Sequence, residues 1–299
     1  MNDKPLVSVA LCTYNGSQFL KEQLDSLLAQ DWPLIEIIAV DDCSTDDTFA
    51  ILTSYALRSE KLKIYRNDRN LGYTRNFEQA LRRCQGDLVA ICDQDDIWSH
   101  DKLSKQVAAL GQHILVYCDS AFVDKSGRLT GQKMSDYFHF YSGDNPDVFL
   151  LENCISGHAM LFKKSLIGLA GSFPSNIYYD QWLAYVATNH GSVAAQNEVL
   201  VLFRRHEQNS TDPLRQHARQ KGATSRHKAL QLEKLQQFGS YNGNKSPGLV
   251  NRLIEALRAP ASVINRLYLV GLLLGNMNTL FFVKKKHTVS KINYCLKYL

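Results

Sequence analysis

Short apolar runs alternate with stretches of helical spacing along the first hundred residues. Leu6 to Cys12 is rich in β-branched residues and predicts a buried strand. Asn15-Gly16 marks a turn, and Leu20, Leu24, Leu27 and Leu28 give Gln18 to Gln30 the period of a helix. Ile35 to Val40 predicts a second strand ending at Asp41-Asp42. A helix over Asp47 to Leu57 follows, with Ser44, Thr45 and Asp46 as possible caps. Lys63 to Arg66, Thr74 to Arg83 and Leu88 to Cys92 continue as strand, helix and strand, and the last runs directly into Asp93-Gln94-Asp95-Asp96. Such alternation over about ninety residues predicts a parallel α/β sheet, whose ligands bind at the carboxyl ends of the strands. Thr13-Tyr14-Asn15, Asp41-Asp42 and Asp93 to Asp96 all fall there, so side chains far apart in sequence should share one crevice.

The second half is less regular. Ile114 to Tyr117, Ala159 to Phe162 and Val199 to Arg204 predict strands, and Gln181 to Thr188 a helix. From about Asp212 the chain turns basic and polar, with helical spacing from Arg226 to Phe238 and a loop over Asn242 to Gly248. These shifts divide the chain into residues 1–212, in halves 1–98 and 99–212, and a helical extension 213–299. Ala261 to Val283 is apolar but interrupted by Asn265, Arg266, Asn276 and Asn278, and ends at Lys284-Lys285-Lys286. That polarity disfavours a spanning helix, which wants roughly twenty apolar residues. It leaves an interfacial helix with a basic flank, or a helix packed on the rest of the protein.

A net charge of +5 spread along the 299 residues does not demand nucleic acid. The seven cysteines are odd in number and show no short metal or redox spacing. They suit a reducing compartment, and the N-terminus carries no signal-peptide pattern, so a cytoplasmic location is expected.

Two carboxylates placed like Asp93 and Asp95 repel unless a cation lies between them. Oxygen ligands favour Mg²⁺ or Mn²⁺ shared with substrate phosphates; the alternative is a solvated acidic turn. Of Asp41 and Asp42, one carboxylate could accept hydrogen bonds from a base or ribose, while the other could simply cap the turn before the next helix. Asn70-Leu71-Gly72 permits close backbone approach, and Arg75 beyond it could meet a phosphate or lie on the surface. Asp180 stands among Tyr178, Tyr179 and Trp182. Apolar surroundings would raise its pKa toward that of a general base, and the aromatics Tyr179 and Trp182 could stack on an acceptor sugar; otherwise Asp180 caps a helix and Trp182 is core. His206 is either a third metal ligand or a loop histidine.

Together these residues resemble the family-2 glycosyltransferases of the GT-A fold, a Rossmann-like mixed sheet flanked by helices. Val7 to Gly16 is similar to the family's opening strand and TYNG turn. Ile38 to Asp46 is similar to its VDDGSTD segment, with Cys43 in place of the usual glycine or asparagine. Asn70-Leu71-Gly72 with Asn76, and Gly86 through Trp98 with a DQDD form of the DxD motif, complete four ordered motifs. The resemblance spans residues 5 to about 105, extends more weakly to about 210, and stops there.

It implies that Thr13, Tyr14, Asn15 and Asp42 hold the nucleoside, with Asn70, Gly72, Arg75 and Gln94 on the donor. Asp93 and Asp95 would take Mn²⁺ or Mg²⁺ and the diphosphate, with His206 of the Arg-x-His element. Ser156, Gly157 and His158 would line the sugar pocket, and Asp180 would be the base of an inverting displacement. The implied donor is a nucleotide-sugar, dTDP-rhamnose by the DQDD form or a UDP-hexose or N-acetylhexosamine. The implied acceptor is a lipid-linked glycan of O-antigen or capsule type, reached by peripheral contact with the inner membrane face. A nucleotidyltransferase is the rival enzyme, although Thr13 to Gln18 offers one glycine and no basic residue to hold a triphosphate. An inactive carbohydrate-binding relative is the non-enzymatic alternative.

Overall fold

The computed structural model describes residues 4–207, 209, 225–260 and 262–297. The boundary expected at 212/213 lies outside these. Four parallel strands form one half of the sheet: β1 (Val7–Thr13), β2 (Ile35–Asp41), β3 (Leu62–Arg66) and β4 (Leu88–Cys92). β1, β2 and β4 are buried at every position, which is why they appear in the sequence as continuous apolar runs and not as alternations. The connecting helices α1 (Leu20–Leu28), α2 (Thr48–Ala56) and α3 (Tyr73–Arg83) return the chain to the start of the next strand.

The remaining strands are β5 (Ile97–Trp98), β6 (Leu115–Val123), β7 (Leu129–Lys133), β8 (Met160–Lys163) and β9 (Val193–Arg204). They extend the sheet to the order β3-β2-β1-β4-β8-β6-β9-β5, with β7 on β6. β8 is antiparallel to both β4 and β6, whereas β9 runs parallel to β6. The sheet is therefore mixed, parallel over β1 to β4 and antiparallel where β8 joins it. β9 begins six residues before the expected Val199, because Val193 to Gln196 pair with Leu115 to Cys118 before a register shift near Asp119.

α4 (Lys102–Leu110), α5 (Met134–Tyr137), α6 (Ser165–Ala170) and α7 (Tyr179–His190) complete the sheet-bearing part. Among the described residues, the C-terminal helices are α8 (Ser225–Gly239), α9 (Gly248–Arg258), α10 (Val263–Gly275) and, after the single turn α11 (Met277–Leu280), α12 (Thr288–Leu296). Leu235, Phe238, Leu253, Leu273 and Phe281 are buried in the same hydrophobic cluster as the sheet.

The apolar stretch after 261 is broken between α10 and α11, where the backbone N–H of Asn276 turns back to Leu272 and Leu274. Among the described residues no helix is long and apolar enough to cross a membrane. Leu269, Val270 and Leu273 of α10 pack inward, while Val263, Ile264, Leu267 and Tyr268 face outward. The expected basic flank is only partly one. Lys285 and Lys286 are exposed, but Lys284 is buried and paired with Glu152 at 2.5 Å.

Candidate functional site

At the carboxyl ends of β1, β2 and β4 lies a cleft of about 680 Å³, within the range that takes a small-molecule ligand. Thr13, Tyr14, Asn15, Asp42, Asn70, Gly72, Asp93, Gln94, Asp95, Ser156, Gly157, His158, Tyr179, Asp180 and His206 all line it. Elements separated by nearly two hundred residues of chain are thus brought to one hollow by the strand order.

The adjacent carboxylates after β2 divide the work of building this end of the cleft. Asp41 is fully buried; it accepts from the Ser44 hydroxyl at 2.5 Å, the Ser44 N–H and the Thr13 hydroxyl at 3.0 Å. Asp42 turns the other way and accepts from Asn67 and from the N–H groups of Leu71 and Gly72, both at 2.9 Å. It holds the Asn70-Leu71-Gly72 turn, whose glycine has φ 82°. Asn15, with φ 47°, accepts from the Thr45 N–H at 2.8 Å and donates its own N–H to Ser44. Cys43, where the resemblance expects glycine or asparagine, has φ 63°, so a β-carbon sits in the left-handed region that those residues tolerate better.

Tyr14 is 46% exposed and offers the cleft a free aromatic face. Gln94 lines the cleft, but its amide grips the neighbouring turn: Oε1 accepts from the Tyr14 N–H at 2.8 Å and Nε2 donates to the Tyr14 carbonyl at 3.0 Å. It positions Tyr14 and spends its polar atoms doing so.

The two expected metal carboxylates have different neighbours. Asp95 accepts from His206 Nε2 at 2.7 Å, with Asn209 at 3.4 Å. Asp93 faces His158, whose Nδ1 is 3.6 Å away, and Asp96, and the ligand atoms of these three lie within 4.8 Å of one another. Asp96, absent from the expected site, is fully buried. One oxygen accepts from the Arg204 N–H at 3.1 Å, and the other has no hydrogen-bond partner. Burial and the charges of Asp95 and Asp93 push its pKa well up. Asp93, Asp96 with its orphaned oxygen, and His158 are a donor set that fits a hard divalent cation, while Asp95 and His206 form their own pair in the same cleft. Arg204 fixes this corner: its guanidinium is buried over the Phe19 ring and donates to the Asp95 and Lys125 carbonyls and to Glu22.

Asp180 opens α7. Its carboxylate accepts from the Gln181 N–H at 2.6 Å, and burial, with a smaller contribution from the Asp93 charge, raises its pKa to about 7. Tyr179 reaches across to Gly157, where a side chain would collide with its hydroxyl: an added Cβ would lie 2.0 Å away. His158 is held by Ser120 at 2.9 Å and stacks on Phe203.

Two expected contacts are corrected. Arg75 lies outside the cleft, paired with Glu78 at 2.5 Å one helical turn on. Trp182 is core: its indole N–H donates to the Ala170 carbonyl, and its ring stacks on Tyr185 and Phe238. Asp180 lines the cleft, whereas Trp182, two positions further along α7 and so roughly 200° round the helix, does not. Glu152 and Lys234 line the cleft without having been singled out. Lys234 comes from the C-terminal helices, where no local signal marks a cleft residue.

A mixed sheet whose parallel strands open on a carboxylate-lined cleft is the architecture of the GT-A fold. The family profile for glycosyl transferase family 2 matches residues 8–169, and the chain belongs to that family. It is 42% identical over 106 residues to TuaG of Bacillus subtilis, named for teichuronic acid biosynthesis, covering 36% of this chain and 42% of that protein. A Rickettsia typhi glycosyltransferase is 28% identical over 223 residues, covering 70% of this chain and 66% of its own length. The chain thus spans less than two thirds of these relatives. Among solved structures, Staphylococcus aureus TarS residues 1–349 with UDP-GlcNAc aligns with a TM-score of 0.61 at 18% identity, covering 92% of this chain and 81% of that one. A Pyrobaculum calidifontis mannosyltransferase with GDP-Man and Mn²⁺ aligns at 0.54 and 20% identity, covering 99% and 86%.

Proposed function

We propose that this chain is an inverting glycosyltransferase that moves a sugar from a nucleotide-activated donor to a lipid-linked glycan acceptor in cell-surface polysaccharide synthesis. The observation that carries the proposal is the cleft that holds the Tyr14 turn, the Asp93–Asp95 carboxylates and the half-buried Asp180 together.

The Tyr14 ring receives the base, and the Asn70–Gly72 turn, held by Asp42, approaches the ribose. Asp93, Asp95 and His206 hold Mn²⁺ or Mg²⁺, with Asp96 and His158 behind them. When bound, the cation neutralises charge on the leaving diphosphate. Ser156, Gly157 and His158 border the sugar. Asp180, ionised near neutral pH, takes the proton from the acceptor hydroxyl as that oxygen attacks the anomeric carbon from the side opposite the diphosphate, so configuration inverts. Tyr179 packs on Phe77 at 4.5 Å and keeps the base's surroundings apolar.

The donor is a dTDP-deoxysugar such as dTDP-rhamnose, or a UDP-hexose or UDP-N-acetylhexosamine. TuaG's name is in keeping with a surface polysaccharide, and UDP-GlcNAc and GDP-Man in the structural neighbours with a nucleotide-sugar. The outward Val263, Ile264, Leu267 and Tyr268 of α10, with Arg266 on the same helix, suit peripheral contact with the anionic inner face of a membrane.

The test is a donor screen: UDP-, dTDP- and GDP-sugars with Mn²⁺ or Mg²⁺, scoring released nucleoside diphosphate. Slow hydrolysis of one donor, abolished by EDTA and by Asp95→Ala, is the expected result. Turnover that survives EDTA removes the metal role of Asp93 and Asp95. Binding of no nucleotide at all sinks the proposal.

A further inference from the structure

The wall of the cleft beyond Asp180 is contributed by the C-terminal helices. In α8, Leu235 and Phe238 are buried, three residues apart on one face. Phe238 lies 4.5 Å from the ring of Tyr185 on α7, and the Tyr185 hydroxyl donates to its carbonyl at 3.2 Å. This contact fixes the rotation of α8 and delivers Lys234, next to Leu235, to the cleft. The Lys234 ammonium stands 5.5 Å from the centre of the Tyr178 ring, at the mouth of the helix that begins with Tyr179 and Asp180.

What this ammonium lacks is a partner. Among the described residues, no carboxylate lies within ion-pair distance of Lys234 and no acceptor within hydrogen-bond distance. Other lysines nearby are engaged, Lys284 with Glu152 at 2.5 Å and Lys245 with Asp144 at 3.0 Å. Burial lowers the Lys234 pKa, opposed by the charges of Glu152 and Asp180. The face of a tyrosine returns only part of the hydration an ammonium gives up. Among the described residues nothing repays the rest of that cost, so an anionic ligand is the natural complement. The donor diphosphate belongs with Asp93, Asp95 and His206. The carboxylates that Lys234 senses are instead Glu152 and Asp180, on the side from which the acceptor hydroxyl must reach its base.

We propose that Lys234, seated over Tyr178, is the anion-recognising group of the acceptor site, binding a carboxylate or phosphate carried by the acceptor. The proposal rests on the glycosyltransferase reading above. It makes the C-terminal helices a determinant of acceptor choice, and an acceptor with a negative group one or two bonds from the sugar ring is the preferred class.

The experiment uses the full chain with Mn²⁺ and whichever of UDP, dTDP and GDP binds. Three matched probes are titrated calorimetrically: octyl glucoside, octyl glucuronide and octyl glucoside 6-phosphate. One charged probe should bind roughly tenfold or more tightly than the neutral one, as expected for a charge-assisted hydrogen bond. The winner distinguishes a carboxylate from a phosphate. Lys234→Gln should erase the preference, Lys234→Arg should keep most of it, and added salt should shrink it. Equal behaviour of the three probes with the native protein overturns the proposal, as does a preference that survives Lys234→Gln. A protein that binds nucleotide but shows no charge preference defeats this inference alone; one that binds no nucleotide defeats the glycosyltransferase reading with it.

Discussion

Gly16 and Gln94 meet where the turns after β1 and β4 close over the donor end of the cleft. A Cβ on Gly16 would stand 2.1 Å from Gln94 Oε1 and 2.3 Å from its Cδ, so Gly16→Ala must expel the amide. The backbone cannot easily retreat, because the Gly16 N–H is anchored to the Thr48 hydroxyl at 2.8 Å. Expulsion breaks both hydrogen bonds between Gln94 and Tyr14. At roughly 0.5–1.5 kcal/mol net for each bond, the loss is about 1–3 kcal/mol. Gln94→Ala loses the same two bonds without a clash and should be destabilised by a similar amount. In the double variant the new methyl enters space already vacated, so its loss should match either single variant and not their sum. Urea unfolding of the four proteins measures the cycle, and nucleotide titration reports the effect on Tyr14. Additive losses would show that the two residues act separately and refute the reasoning.

Asp180→Asn should lower kcat about 10²–10⁴-fold while nucleotide affinity stays near the native value, since the side chain keeps its shape. The base must be ionised to act, and its pKa is raised to about 7 by burial first and Asp93 second. kcat/KM should therefore fall as pH drops below about 7 and level off above it. Saturating Mn²⁺ should shift that limb to lower pH by offsetting the Asp93 charge; a limb that stays in place with Asp180→Asn assigns it to another group. Cys43→Gly relieves a left-handed β-carbon and should raise stability by about 0.5–1 kcal/mol, read as a higher Tm, once glycine's greater chain entropy is set against the strain. Arg204→Met strands the Asp95 and Lys125 carbonyls and should cost about 2–4 kcal/mol in urea unfolding, with weaker metal dependence of donor hydrolysis.

The nucleotide end of the fold was legible because its signals are local. Strands buried on both faces appear as unbroken apolar runs, and the polar clusters that end them must converge by strand order. Helix α3 begins at Tyr73 where the spacing suggested Thr74, and β4 spans Leu88–Cys92 as expected. β7 is exposed at all five positions, so no alternation marks it, and β5 has only two residues. At the site, Asp180 and His206 could be named from motif position, whereas their partners depend on tertiary packing. Asp96 sits in the same DQDD segment as Asp93, yet only the folded chain shows it fully buried against Arg204. Arg75 had its answer three residues away in Glu78, an i,i+3 pairing visible in the sequence. Trp182 depended on Phe238, more than fifty residues downstream, and could not have been resolved locally.

The contact between Phe238 and Tyr185 also bears on how this protein can be divided. The stretch matched by the family profile ends at residue 169, short of α7, yet α7 is covered on one face by α8. Cutting the chain after β9 would strip the Trp182–Tyr185 face and leave an aromatic surface in water. The cleft and the helices downstream are therefore one packing unit: a graft of those helices from a relative would have to satisfy the packing of α7 before it could change the cleft wall to which Lys234 belongs.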